Sequence, residues 1–140
     1  MAADKLYSEI FEDFDKAKNK QERLAVLRKY DHPRFREFLN YAFNPHVKFD
    51  VEIPSYRPAI EPAGLNSTYL STEVTKMYRF IVGHPQRPEG LSDTKKRQLL
   101  LVILESMYRD EADLLCRLIK KDLGVKYLTL NLVLEAFPGM

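Results

Sequence analysis

The sequence is short of most residues that announce chemistry. Among 140 residues there is one cysteine, Cys116. That excludes an internal disulfide and a cysteine-built zinc site, and it suits a reducing compartment. Only five glycines are present, and none falls into a GxGxxG or GxxxxGK(S/T) arrangement, so the phosphate-cradling loops of nucleotide-binding folds are missing. No stretch approaches the roughly 20 apolar residues of a membrane span. The N-terminal MAADKLYSEIFEDFDKAK carries acids where a signal peptide has a basic start and an apolar run. Nor does one charge dominate: 22 Lys and Arg stand against 20 Asp and Glu, a net +2. A polyanionic partner has to be inferred from where the charge sits. These absences point to a soluble, cytoplasmic protein with no membrane partner.

What is present reads as one globular domain over 1–140, with 45% hydrophobic and 30% charged residues. Leu6, Ile10 and Phe14 recur at helical spacing, and Leu24 and Leu27 suggest a second helix capped by Asn19. Asp31 is a candidate cap for a third, with Pro33 in its first turn, Phe35, Phe38, Leu39 and Ala42 buried, and Asn44-Pro45 as its stop. Residues 45–70 form a Pro-containing extended connection. Within it Val47, Phe49, Val51 and Ile53 alternate with Lys48, Asp50 and Glu52, consistent with at most a two-stranded pairing. Helices resume at Ser71, with Val74, Met77, Tyr78 and Ile81 inward, and break in the loop Gly83 to Gly90. Ser92 caps the next helix, whose LLLVIL run, Leu99 to Leu104, is apolar on all sides and predicts a place at the centre of the bundle. Ala112, Leu115, Cys116 and Ile119 mark a sixth helix ending near Lys121-Asp122, where Gly124 suits a left-handed terminal residue. A last helix covers Thr129 to Ala136. The expected architecture is all-α, an irregular bundle of six or seven helices.

Catalytic constellations are hard to assemble. His32, His46 and His84 all sit beside prolines or in loop-like sequence, and none has a second ligand at helical spacing. Cys116 falls on an apolar face and reads as a small buried hydrophobe. Asp110, Glu111 and Asp113 have the chemistry to hold a divalent cation. Their place at a helix start offers a simpler account, because carboxylates favour the positive end of the helix dipole. The expectation is a non-enzymatic protein without metal or cofactor.

Charge placement says more. Residues 1–15 carry Asp4, Glu9, Glu12, Asp13 and Asp15 against Lys5, net −4. Residues 16–36 carry Lys16, Lys18, Lys20, Arg23, Arg28, Lys29, Arg34 and Arg36 against Glu22 and Asp31, net +6. Further basic clusters are Lys95-Lys96-Arg97 and Arg117, Lys120, Lys121 with Lys126. Bases beside a helix end and a glycine turn can grip a phosphate backbone. Solvated basic helix faces, with last turns that complement the dipole, are the competing account.

Several segments fit one known pattern together. RLIKKDLGV (Arg117 to Val125) is followed by TLNLVLEAF (Thr129 to Phe137) and the close AFPGM (Ala136 to Met140). Upstream, LNYAFNPHVKFDVEIPSYRP (Leu39 to Pro58) passes from helix to extended chain, and an apolar helix spans Lys95 to Met107. From about Glu22 to Met140 this resembles the N-terminal DNA-binding domain of phage-type ATP-dependent DNA ligases. The resemblance implies an all-helical domain that grips duplex DNA across the minor groove without reading sequence, partly through the turn ahead of the last helix. The matching positions are Gly124, Val125 and Lys126, with Arg117, Lys120 and Lys121 on the preceding helix; Lys95, Lys96 and Arg97 join them as candidate DNA contacts by charge. Two departures stand out: the stretch from Asp122-Leu123 to Gly124 is shorter than usual, and Lys126-Tyr127 replace the small hydroxyl residue that often follows the glycine. The ligase nucleophile motif Lys-x-Asp-Gly is absent, since Lys120 to Gly124 reads KKDLG. The resemblance therefore implies a stand-alone bacteriophage accessory protein that binds duplex or nicked DNA. The alternative is a helical module that has lost DNA binding and engages a phage or host protein, through the acidic first helix and the Pro45–Pro62 segment.

Overall fold

The computed structural model describes residues 5–139; Asp4 of the acidic N-terminal group and Met140 of the AFPGM close lie outside the described residues. The order is α1 (Tyr7–Lys16), α2 (Lys20–Lys29), α3 (Pro33–Phe43), α4 (Leu70–Glu73), a 3₁₀ helix (Val74–Phe80), α5 (Asp93–Ser106), α6 (Arg109–Ile119) and α7 (Leu130–Ala136). No strand occurs among the described residues, and the class is all-α. The extended segment makes one isolated antiparallel bridge, Phe49 with Ile81, where Asp50 N–H donates to Phe80 O at 3.0 Å and Val82 N–H to Lys48 O at 2.9 Å. Its alternation is realised: Val47, Phe49, Val51 and Ile53 lie half-buried against the core while Lys48, Asp50 and Glu52 face out.

Two caps fall where the sequence predicts them, at Asn19 and Ser92, and Thr129, expected as the first residue of the last helix, caps it instead. Asn19 Oδ1 accepts from Glu22 N at 2.9 Å, Ser92 Oγ from Lys95 N at 3.1 Å, and Thr129 Oγ1 from Leu132 N at 3.2 Å. The cap of α3 is His32 rather than Asp31. Pro33 takes the first helical position, so its predecessor becomes the cap, and His32 Nδ1 accepts from Arg34 N at 3.1 Å. Asp31 instead holds Arg36 through both carboxylate oxygens, at 2.6 and 2.8 Å. The helix expected from Ser71 begins at Leu70, runs one α turn and tightens into 3₁₀. β-Branched Thr72, Val74 and Thr75 disfavour α geometry there, and Thr75 Oγ1 donates to Thr72 O at 2.7 Å.

The centre belongs to α6, not α5. One face of α5 buries Leu100, Ile103 and Leu104, while Val102 is 65% exposed. The helix is too little surrounded for its apolarity on all sides to be used. By contrast α6 buries Ala112, Leu114, Leu115, Cys116, Leu118 and Ile119 and packs against α1, α3, α4 and α5. It ends in a Schellman turn, Asp122 N to Arg117 O at 3.0 Å and Lys121 N to Leu118 O at 2.9 Å. The left-handed position in that turn is Lys121, with φ 61°; Gly124, also left-handed at φ 66°, serves the next bend.

Glu111 is the buried polar residue around which the helices assemble. It is 1% exposed, and Oε2 accepts from Tyr7 N at 3.0 Å and Oε1 from Leu70 N at 3.1 Å. Those are the first residues of α1 and α4, whose flanking Leu6 and Tyr69 provide no side-chain cap. One carboxylate on α6 thus caps two other helices, a role the acidic cluster's position does not disclose. Tyr7 then packs edge-on against Phe35 and Phe38, with centroids 5.2 Å away in each case.

Leaving two buried N–H groups unpaired costs about 1–3 kcal/mol each. Glu111→Ala should lower unfolding free energy in urea by about 2–5 kcal/mol, and Glu111→Gln, which keeps one acceptor, by less. An alanine variant as stable as the parent would remove the double cap from the account. Burial also pushes the Glu111 carboxyl up, more than its two N–H bonds pull it down. A raised folded pKa makes its contribution full below the ordinary glutamate range and lost as pH rises through the raised value. Stability should therefore decline on the alkaline side of that range, and Glu111→Gln should flatten the decline in urea midpoints taken across pH.

Candidate nucleic-acid interface

The nine residues that sequence puts forward as DNA contacts have different occupations in the fold. Lys96 is buried. Its ammonium sits 3.2 Å from Asp50 Oδ2 and 3.1 Å from Asp93 Oδ1, and donates to Asp50 O at 3.1 Å. It fastens the extended segment to α5. Burial acts to raise the Asp50 carboxyl, but hydrogen bonds from Arg87 and Lys96 outweigh it and hold the group below the usual range. Arg97 pairs with Glu52 at 3.1 Å, in the same seam. Of that cluster only Lys95 makes no ion pair among the described residues.

Lys121 is also consumed. Its ammonium donates to Tyr41 O and, at 2.8 Å, to Asn44 O, carbonyls at the end of α3. Burial lowers its pKa, and the left-handed backbone is the cost of aiming the side chain at α3. Arg117 pairs with Asp113 at 3.0 Å and donates to Leu123 O at 3.3 Å, bracing the bend at Gly124, where an added Cβ would meet the guanidinium at 3.5 Å. Val125 is half-buried against the core. Lys120 and Lys126 are exposed.

A different cationic surface forms where α2 meets α7 and the turn before it. Leu128 N donates to Val125 O at 3.2 Å, closing a β-turn whose third residue, Tyr127, has φ 69°. A type II turn prefers glycine there. Tyr127 is nonetheless 55% exposed, with the Arg23 guanidinium 3.9 Å and the Lys126 ammonium 5.0 Å from its ring centre. Lys20 lines the adjoining groove and pairs with Glu135 at 3.1 Å, while Arg28 donates to Glu135 O at 3.2 Å. Lys18 leads into this edge along the chain and has no ion pair among the described residues, whereas Lys16, also without one, lines a groove on another face of α2 with Asp13, Lys29 and Tyr30. The net charge of +6 over 16–36 signals this surface; its junction with Lys126-Tyr127 is a product of α2–α7 packing. Of the nine, the fold brings only Lys126 to it.

The other chemistry-bearing side chains have structural places. His32 caps α3, His84 Nδ1 accepts from Gln86 N at 3.1 Å in a loop, and His46 is exposed. Cys116 is buried, which pushes its thiol up and away from the thiolate. No group of three or more His, Cys, Asp or Glu side chains suited to a metal occurs among the described residues, and no helix there is long and apolar enough to cross a membrane. The chain belongs to DUF6433, a family of unknown function whose sequence pattern matches residues 10–125. No curated protein and no solved structure matches it.

Lys120 and Lys121 separate the two kinds of lysine. Lys121→Ala should cost about 2 kcal/mol through the lost charged hydrogen bonds. Lys120→Ala should leave stability within about 0.5 kcal/mol. Parallel thermal melts check both; equal melts would mean that Lys121 does not tie α6 to α3.

Proposed function

We propose that this protein binds duplex DNA through its phosphate backbone, without strong sequence preference, at the surface formed by Arg23, Lys126 and Tyr127 with Lys18 and Lys20. The observation that carries this reading is Tyr127. A tyrosine in a glycine-favouring position costs local strain on the order of 1 kcal/mol, and such strain persists where the surroundings or a function demand it. Here it displays an aromatic ring between two cations, a combination suited to sugars and phosphates. The resemblance of residues 117–140 to the closing helix pair of ligase DNA-binding domains points to the same turn. Contacts of this kind would act through displaced counterions, so affinity would fall steeply with salt.

A second reading, a protein–protein interaction module, is favoured by exposed apolar side chains: Ile60 at 90% and Leu65 at 71% in the extended segment, and Val102 on α5.

A salt-series anisotropy titration with intact duplex, nicked duplex and single strand tests the leading reading. Micromolar duplex binding with a steep slope is expected. The pair Arg23→Glu with Lys126→Glu should weaken it at least about tenfold and reduce the slope of log K against log salt by about 2, near 0.9 per lost phosphate contact. Tyr127→Gly should weaken binding while stability holds or rises, because the turn is relieved. No duplex binding at about 50 mM salt would overturn the reading in favour of a protein partner.

A further inference from the structure

The segment between α3 and α4 reverses the usual placement of polar and apolar groups. Ile60 and Leu65 face solvent, 90% and 71% exposed, while the amide of Asn66 is buried, with neither Nδ2 nor Oδ1 finding a partner among the described residues. A polar group buried unpaired costs about 1–3 kcal/mol. A chain that keeps one there departs from its own best local arrangement, as chains do at functional surfaces.

The display is fixed rather than frayed. Leu65 N–H donates to Pro62 O at 3.1 Å, closing a β-turn whose third residue, Gly64, has φ 90°, and the Tyr69 hydroxyl donates to Gly64 O at 3.0 Å. On either side the segment is tied to the end of α5: Arg57 N–H donates to Glu105 Oε2 at 2.8 Å and Thr68 N–H to Ser106 O at 3.0 Å. Pro58 and Pro62 restrict the backbone between these ties. Little backbone freedom is left to lose when the two apolar side chains are covered.

The same surface is complementary to itself. The turn that raises Leu65 also supplies one wall, Ala63 and Gly64, of a cleft of about 580 Å³ whose other walls include Leu6, Glu9 and Tyr69. A projection beside a recess lets two copies fill one another about a two-fold axis. The charges match in the same sense. Arg57 and Glu61 are exposed, carry opposite signs on either side of Ile60, and make no ion pair among the described residues.

We infer that this face binds a second copy of the chain. In the two-fold dimer Leu65 enters the cleft of the other copy, Ile60 is covered, and Arg57 of each copy meets Glu61 of the other. Any apolar surface could cover Ile60 and Leu65, but Arg57 and Glu61 together call for a partner bearing the same two charges in the opposite order, and a two-fold copy supplies them. With two large apolar side chains per copy the contact lies at the low end of specific interfaces, so the dimer forms reversibly, with Kd of about 10–100 µM. The inference names the occupant of side chains that the protein–protein reading leaves open, and it holds whether or not the chain binds DNA.

Sedimentation velocity of the full chain from about 5 to 500 µM tests it. The weight-average mass should rise from 16.4 kDa towards twice that value. Ile60→Glu with Leu65→Glu should hold the monomer mass throughout with the thermal melt unchanged, because both side chains are exposed. Arg57→Glu and Glu61→Arg should each weaken self-association at least about tenfold, and their equimolar mixture should restore it, since only the mixed dimer brings opposite charges together at both contacts. Arg23→Glu with Lys126→Glu should dimerise like the parent, which separates this face from the DNA surface. A monomer at about 500 µM, a dimer that survives the Ile60 and Leu65 changes, or a mixture no tighter than its components overturns the inference.

Discussion

The buried Glu111 carboxylate is the constraint on which the arrangement of helices depends. A polar group at 1% exposure persists only if its lone pairs are used. Glu111 uses them on the first N–H groups of α1 and α4, helices that begin after residues without a capping side chain. Three segments far apart in the chain thereby acquire fixed relative positions. The ring of Tyr7, next to one of those bonds, is carried onto Phe35 and Phe38, so the polar junction also sets the register of the aromatic core. Apolar burial supplies most of the driving force, but it is non-directional. The two hydrogen bonds make it specific.

The same economy recurs with cations. Lys121 ends α3, Lys96 fastens the extended segment to α5, and Arg117 braces the bend at Gly124. Each belongs to a basic cluster that looks solvent-facing and available for a polyanion when read along the chain. In the folded molecule each is drawn inward or across to a backbone carbonyl or a carboxylate on a neighbouring segment. The bases that remain outward, along α2 and at the turn of Lys126 and Tyr127, make the candidate surface. A cation's availability is therefore decided by the acceptors the fold brings within its reach.

Much of the fold is legible residue by residue. Asn19 and Ser92 cap the helices they precede, and the alternation from Val47 to Ile53 predicts a half-buried extended run, because these signals act within a few residues. The misreadings share a cause. The LLLVIL run predicts a central helix, yet Val102 stays exposed, because apolarity says that a face can be buried and not that a neighbour will cover it. Gly124 is the obvious left-handed residue after α6 and is left-handed, yet Lys121 takes that place in the Schellman turn, from where its ammonium reaches the end of α3. The acidic cluster at Asp110, Glu111 and Asp113 suggests capping of its own helix, and nothing local reveals that Glu111 caps two others.

By itself, then, the sequence determined the elements: helical periods, cap residues, the Pro-containing break and the basic character of residues 16–36, all consequences of steric and hydrogen-bonding preferences within one or two helical turns. Only the tertiary structure decided which charges became part of the interior. It also decided which helix became central, and that Arg23 would meet a tyrosine more than 100 positions away. Those outcomes depend on which polar groups remain unpaired once the helices have packed, and a backbone N–H or carbonyl carries no mark in the sequence of being left without a partner.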